Sequence, residues 1–287
     1  MAIKDRALFE SYLSKPQHRG SECAFTNLFI WRDYYRTFWV EKYGFLLIKV
    51  LLEDETFFLQ PFGGKDEDLP LLIREIKEQE GGSFSFHGIY ECSLERLSRI
   101  KGDRDFEEDR NSWDYVYLQQ DLANLSGRRY HGQKNHYNAF KKANPDYVFE
   151  KINPENYAEC LNFGEEWCKA RMKEDPSIVW EWRALQEAFV NFELLGLRGG
   201  AIRIHGKIEA FSFGKAINAE ICDVNVEKAN PDIRGLYTAI QTENAKYIWS
   251  DMKYMNREED MGHEGLRKAK ESLHPAFMVK KYNLLVE

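Results

Sequence analysis

The chain has 287 residues, 43% of them apolar and 14% aromatic, enough to fill real cores in one large or two medium domains. No apolar run approaches the roughly 18–20 residues needed to cross a bilayer, and the opening MAIKDRALFE lacks the apolar centre of a secretory leader. The net charge of −7 argues against generic coating of nucleic acid, which needs a broad basic surface to neutralise phosphates.

In chain order, Asp5–Leu13 and Glu22–Tyr35 read as helices, the second carrying Phe25, Leu28 and Phe29. Strands are expected at Arg36–Glu41, Phe45–Leu52 and Thr56–Gln60, with joins at Tyr43-Gly44 and Glu53-Asp54 short enough for hairpins. The turn Pro61-Phe62-Gly63-Gly64 precedes an amphipathic helix, Leu69–Gln79, stopped by Gly81-Gly82. Ser83–His87 follows as a strand, Leu94–Ile100 as a short helix and Trp113–Leu118 as another strand.

The second half starts with a helix over Gln133–Lys142 and a strand at Tyr147–Ile152. Helices Pro154–Met172 and Ile178–Leu195 lead to a second meander, Ala201–His205, Lys207–Ile217 and Glu220–Val226, joined at His205-Gly206 and Asn218-Ala219. The loop Glu227–Arg234 opens a helix, Gly235–Trp249, followed by strand Met252–Asn256, helix Glu264–Leu273 and strand Ala276–Val286. The residues do not repeat, but the element order does, which implies a duplicated unit with a boundary near Leu125-Ser126-Gly127. The expected division is 1–125 and 126–287, with the active site in the second part.

Charge is unevenly spread. Asp103–Asp109 is acidic, whereas Arg128–Lys142 holds Arg128, Arg129, His131, Lys134, His136, Lys141 and Lys142 with no carboxylate. A third concentration, Asn256-Arg257-Glu258-Glu259-Asp260, stands at the mouth of a strand, where a core has no use for it. The five cysteines are scattered without CxxC spacing and read as reduced thiols of a cytoplasmic protein. The histidines lack metal-ligand spacing, so no metal is expected.

The repeated order resembles the acyl-CoA N-acyltransferase (GNAT) fold used twice in tandem. The fold class this implies is α+β with α/β-type layers: two GNAT-like units, each a mixed, mostly antiparallel sheet flanked by helices. In that superfamily the loop before the helix that follows the meander cradles a pyrophosphate on free N–H groups at the helix start. Here the loop is Ala229–Tyr237, with Arg234 bringing charge and Gly235 allowing close approach. It departs from the usual Q/R-x-x-G-x-G/A pattern: Asp232 stands at the basic position and Tyr237 at the final small one, which weakens a CoA-dependent acetyltransferase.

Leu125–Phe140, Asp223–Ala229 and Asn256–Ser272, together with Phe25–Trp31, are similar to the family related to the C-terminal domain of phosphatidylglycerol lysyltransferase (DUF2156). The resemblance covers nearly the whole chain and implies a tandem GNAT fold similar to the Fem-type aminoacyl transferases. Membrane-bound members move an amino acid from aminoacyl-tRNA to a lipid head group, and this sequence has no transmembrane half.

No Cys–His or Ser–His–Asp arrangement stands out by spacing, so direct attack of an amine or hydroxyl on an activated carbonyl is favoured over a covalent intermediate. In that scheme Glu258 or Asp260 deprotonates or positions the acceptor, and Asn256 donates a hydrogen bond near the carbonyl. Arg257 serves the site directly or as the internal partner of Glu227 or Asp260. Arg267 and Lys270, at helical spacing with His274, form either a solvated face or a phosphate clamp on the donor. Arg128, Lys134 and Asn135 are further candidates for binding phosphate or carboxylate, as is Lys228, which follows Glu227 directly. Arg129, Lys141 and Lys142 read as solvent-facing, and Trp167, Trp180 and Trp182 as core or lid. The candidate donors are aminoacyl-tRNA and acetyl-CoA or another CoA-type thioester; the acceptor is a small molecule or resembles a lipid head group. The alternative is a binding module for RNA or a phosphorylated ligand, without chemistry.

Overall fold

A computed structural model describes residues 1–52, 55–102 and 104–287. The expected join at Glu53-Asp54 and the first residue of the acidic stretch, Asp103, lie outside the described residues. The chain opens with helices α1 (Arg6–Leu13) and α2 (Phe25–Ile30) and strands β1 (Phe38–Lys42), β2 (Phe45–Leu52), β3 (Glu55–Leu59) and β4 (Phe62–Gly63). Helix α3 (Leu69–Glu80), strand β5 (Phe84–Tyr90), helix α4 (Glu91–Leu97) and strands β6 (Glu107–Glu108) and β7 (Asp114–Leu118) follow. Helices α5 (Gln119–Asn124) and α6 (His131–Ala143) lead into strand β8 (Val148–Lys151) and helices α7 (Tyr157–Arg171), α8 (Ile178–Val190) and α9 (Phe192–Leu195). The chain ends with β9 (Arg198–Ile204), β10 (Lys207–Ala216), β11 (Ile221–Ala229), α10 (Leu236–Tyr247), β12 (Tyr254–Asn256), α11 (Glu264–Glu271), β13 (Phe277–Val279) and β14 (Lys281–Val286).

Two mixed sheets result, as expected for tandem GNAT-like units. One runs β1-β2-β3-β5-β14-β6, with β4 beside β2; the other runs β13-β7-β12-β11-β10-β9-β8. Each is antiparallel except for one parallel pair, β3 with β5 and β11 with β12. Each meander opens with a two-residue turn, Tyr43-Gly44 and His205-Gly206, in which both residues have positive φ. That is the geometry whose twist suits a tight hairpin.

Several expected elements are redrawn. The single helix over Glu22–Tyr35 is a short turn and then α2, which ends at Ile30, and the chain continues through turns from Trp31 to Arg36. The helix over Ile178–Leu195 breaks at Asn191, and β11 runs three residues into the expected loop, to Ala229. The strand expected over Ala276–Val286 divides between the sheets: Phe277–Val279 pairs with β7, and Lys281–Val286 pairs with β5 and β6.

The two sheets exchange their late strands. Strand β7, from the first half, lies between β12 and β13, while the C-terminal β14 completes the sheet of the first half. A cut at 125/126 therefore separates each sheet from one of its strands. The two crossings run side by side, with the Asp109 amide and the Trp113 indole N–H both donating to the Lys281 carbonyl, at 3.0 and 3.3 Å. At the centre Lys281, 1% exposed, places its ammonium 2.7 Å from Asp114 and 2.6 Å from Glu22. The largest core also spans both halves, joining Phe9, Phe25 and Phe29 to Phe189, Phe211 and Phe213. Among the described residues no helix is long and apolar enough to cross a membrane.

Two consequences are measurable. Fragments 1–125 and 126–287 expressed separately are expected to lack a cooperative urea transition yet to co-purify when co-expressed; a cooperative transition in either alone would contradict mutual dependence. Lys281→Met leaves Asp114 buried without its cation and should lower the urea-unfolding free energy by about 3–5 kcal/mol. A loss below about 1 kcal/mol would show that the pair does not hold the crossing.

Candidate functional site

The parallel pairing of β11 and β12 covers only Ile221–Asp223 against Tyr254–Asn256. Beyond it β11 continues to Ala229 against β10, while the chain leaving β12 turns away through Glu258, whose φ is +58°. A register shift between Phe213 and Lys215 accompanies the divergence, at Gly214. A Cβ there would lie 1.9 Å from the Asp223 carbonyl oxygen, so only glycine lets the strands approach so closely. The gap is a cleft of about 690 Å³, walled by Asn225, Glu227 and Lys228 of β11, Arg257 and Glu258 after β12, Tyr237 and Gln241 of α10, Lys270 of α11 and Trp167 of α7.

Arg257 is the internal partner of Glu227, with Nη2 2.7 Å from the carboxylate, and its Nη1 donates to Gln241 Oε1 at 2.7 Å. Since arginine only donates, this contact fixes the Gln241 amide and turns Nε2 the other way. That nitrogen has no partner among the described residues, although Gln241 is 5% exposed. Asn225 is its counterpart: Nδ2 donates to Asp223 Oδ2 at 2.7 Å and reaches Glu258 Oε1 at 3.4 Å, leaving Oδ1 unpartnered. The residues lining the cleft thus include a buried unpartnered donor and a buried unpartnered acceptor beside the Glu258 carboxyl.

The other candidates occupy different positions. Lys270 lines the cleft, but its ammonium donates to the carbonyls of Arg257, Glu258 and Glu259, so its three N–H groups hold the turn and leave none for a phosphate. Lys228 pairs with Glu181 and lies 3.8 Å from the centre of the Trp167 ring. Asn256 is fully buried: its amide N–H groups go to the Arg19 carbonyl and to Asp114, each at 2.8 Å, and its Oδ1 accepts from the Glu258 amide. It has no N–H left for a reacting carbonyl and instead aims Glu258. Asp260, also fully buried, accepts from Arg267, Arg110 and the Tyr115 hydroxyl. This network occupies Arg267 as well, so neither residue faces the cleft.

Arg128, Asn135 and Arg234 are exposed and Lys134 lines a separate recess, so none of the four joins the cleft. Gly235 is required for a different reason than ligand approach. Its φ is +79°, and a Cβ would come within 2.4 Å of the His136 carbonyl oxygen, so it seats α10 against α6. Trp167 is a cleft wall whose N–H donates to the Tyr237 hydroxyl. Sequence reasoning missed Gln241, Asp114 and Lys281; the visible signal for Lys281 was the Lys280-Lys281 pair within the largely apolar stretch Ala276–Val286.

Carboxyls outnumber cations behind the cleft. Burial, and then the Glu259 carboxylate, push Glu258 well above the usual range, with only partial relief from Lys270 and Asn225. Asp223, fully buried with Oδ1 unpartnered, is raised well above its ordinary value by burial and by Glu258 and Asp114. Burial also raises Glu227 and Glu259, against the pull of Arg257 and Lys281 respectively. Asp260 goes the other way: burial opposes its charge, but hydrogen bonds from Arg267, Tyr115 and the Gly262 amide outweigh it and hold the carboxyl well below the usual range.

The model of the family "Phosphatidylglycerol lysyltransferase, C-terminal" matches residues 14–285. The chain is 37% identical to a conserved protein of unknown function from Bacteroides thetaiotaomicron, whose crystal structure superposes with a TM-score of 0.93 over 100% of this chain and 98% of that one. The structure of L-PGS from Bacillus licheniformis shares the fold, with a TM-score of 0.66 at 15% identity over 98% of this chain and 91% of that one. An uncharacterised protein of Mycoplasmoides gallisepticum is 26% identical over 222 residues, 76% of this chain and 70% of that protein.

The raised pKa of Asp223 has a signed effect on stability. The folded state keeps a proton that the unfolded chain loses above about pH 3.8, so this contribution is complete below that value and is lost as pH rises towards the folded pKa. Asp223→Asn removes the titration, and its unfolding free energy should fall less than that of the wild type between about pH 4 and pH 8. Parallel curves in urea titrations would mean that Asp223 is ionised in the folded protein.

Proposed function

Since the chain belongs to the family of phosphatidylglycerol lysyltransferase C-terminal domains, we propose that it transfers an aminoacyl or acyl group to an amine or hydroxyl acceptor within this cleft. The observation that carries the reading is the trio at the splayed strands: Glu258 with a raised pKa, Asn225 Oδ1 without a donor and Gln241 Nε2 without an acceptor. Buried polar groups left unpaired are costly, and their complement is a substrate with an N–H or O–H on one side and a carbonyl on the other. In this reading Asn225 and Glu258 receive the acceptor, and Glu258 takes its proton as the nitrogen or oxygen bonds to the donor's carbonyl carbon. Gln241 donates to the developing oxyanion. The carbon's bond to the leaving oxygen or sulfur then breaks, and the leaving group recovers the proton from Glu258. Glu227 and Arg257 position Gln241.

The α10 start bears on the donor. Tyr237 stands in the cleft where a pyrophosphate would approach the helix N-terminus, and Asp232 is the acidic residue of the preceding loop. These features favour an aminoacyl ester, such as aminoacyl-tRNA, over a CoA-type thioester. An acceptor bearing an N–H or O–H, whether a small amine or hydroxyl compound or a lipid-like head group, is complementary to the unpartnered oxygen of Asn225.

The test supplies labelled aminoacyl-tRNA or acetyl-CoA with candidate acceptors and follows product mass. Glu258→Gln and Gln241→Met should each lower kcat by about 100-fold or more while the protein stays folded. The wild-type rate should decline as pH falls through the raised Glu258 pKa, because the base acts only when deprotonated. Full activity in Glu258→Gln would remove Glu258 from the chemistry, and salt-sensitive donor binding without turnover would favour a binding module.

A further inference from the structure

A second concavity lies beside α6 and α10, outside the cleft. It has a volume of about 240 Å³, and its lining includes Lys134, Asn138 and Lys141 of α6 and Thr242 and Lys246 of α10. Lys134, Asn138 and Lys141 fall at spacings of four and three, so one stripe of α6 faces the recess. Lys246 closes it from α10, with its ammonium 4.9 Å from the centre of the Tyr247 ring. No carboxylate belongs to the lining among the described residues. The nearest acid along α10, Glu243, is covered: the Tyr137 and Tyr147 hydroxyls both donate to its carboxylate.

An independent observation points to a ligand. Thr242 is 2% exposed, lines the recess, and its hydroxyl has no hydrogen-bond partner among the described residues. A buried hydroxyl is normally satisfied, and mid-helix threonine has the carbonyl one turn back available to it. This one is left over in a recess whose lining also includes three lysines.

We propose that this recess is a phosphate-binding site, with Lys134, Lys141 and Lys246 supplying charge and the Thr242 hydroxyl donating to a phosphate oxygen. The chemistry fits a phosphate group because lysines act as mobile point charges around a compact polyanion, whereas a planar carboxylate is better matched by the arginine fork, absent from this lining. The volume, about 240 Å³, is ample for such a group. The phosphate comes either from free phosphate or a small phosphoester, or from a polynucleotide backbone. The site stands independently of the transfer reaction, since it shares no lining residue with the cleft.

The experiment uses the full chain. Inorganic phosphate is titrated by calorimetry at low ionic strength, and in a second arm a labelled RNA hairpin is titrated by fluorescence anisotropy with phosphate as competitor. Phosphate should bind, and Lys141→Glu and Lys246→Glu should each weaken it by about tenfold or more. Thr242→Val should weaken it several-fold. Lys142→Glu, adjacent on α6 but outside the recess, should stay within about twofold of the wild type, as a local site requires. Hairpin binding that phosphate competes away, and that Lys141→Glu and Lys246→Glu reduce, identifies a polynucleotide as the source. Phosphate binding with no recess-dependent hairpin binding identifies free phosphate or a small phosphoester. No phosphate binding in the wild type, or equal losses in Lys141→Glu and Lys142→Glu, would overturn the site.

Discussion

The ion pair of Lys281 with Asp114 is the constraint on which the rest of the structure depends. Both side chains are essentially inaccessible, so neither charge has water as an alternative partner. They stand where the chain passes between sheets, Asp114 at the start of β7 and Lys281 at the start of β14. A buried ion pair of this kind is a poor source of net stability, but it strongly penalises any arrangement that separates the partners. A topology in which each half kept its own final strand and so parted the two residues would leave both charges buried and unpaired. The pair thus acts against an alternative fold more than in favour of the observed one.

The same aspartate reaches into the cleft. Asp114 accepts from Asn256, and Asn256 accepts from the Glu258 amide, so two hydrogen bonds link the strand crossing to the carboxyl at the mouth of β12. Lys270 secures the turn from the other side through its three carbonyl contacts. Glu258 holds a left-handed conformation, which a non-glycine residue keeps only when its surroundings determine it from several directions. The crossing also tunes this carboxyl. Glu22, Asp114, Asp223, Glu258 and Glu259 crowd around the ammoniums of Lys281 and Lys270, and so many carboxyls cannot all ionise in a poorly hydrated space. Lys281 is held firmly charged by Asp114 and Glu22, against the cost of its burial, while burial and the neighbouring carboxyls raise Asp223 and Glu258 above their ordinary range.

How far the sequence spoke for this arrangement depends on the range of the interaction. Periodicity and turn residues are local, and they located both meanders, the Tyr43-Gly44 and His205-Gly206 turns and most helices. Motif resemblance located the charged stretch after β12, and the Glu227–Arg257 pair was among the partners expected for it. Strand exchange is not local. A short strand reads the same whichever sheet receives it, and Phe277–Val286 has no proline or glycine to mark the division at Lys280. Asn256 and Asp260 are polar residues near a strand end, which suggests a substrate contact until their buried partners are known, and Arg267, singled out by helical spacing, is taken up by Asp260. Gln241 presents the reverse case, a glutamine on a helix whose free N–H becomes visible only once Arg257 has claimed its oxygen.

The basic residues make the last connection. Inside the cleft Arg257 is committed to Glu227, Lys228 to Glu181 and Lys270 to the turn carbonyls, so the polar groups left without a partner are the uncharged amides of Asn225 and Gln241. In the recess beside α6 and α10 the lysines meet no carboxylate in the lining. Helix α6 turns Gln133 and His136 to the cleft and Lys134 and Lys141 to the recess, and α10 divides between Gln241 and Thr242 in the same way. The close approach of Gly235 to the His136 carbonyl seats the two helices together, so cleft and recess lie on either side of one helix pair. A donor carrying both a reactive carbonyl and phosphates would meet two differently built surfaces, one for each part. A net charge of −7 is no obstacle to a local basic recess, because a few lysines with no carboxylate in the lining decide the local potential.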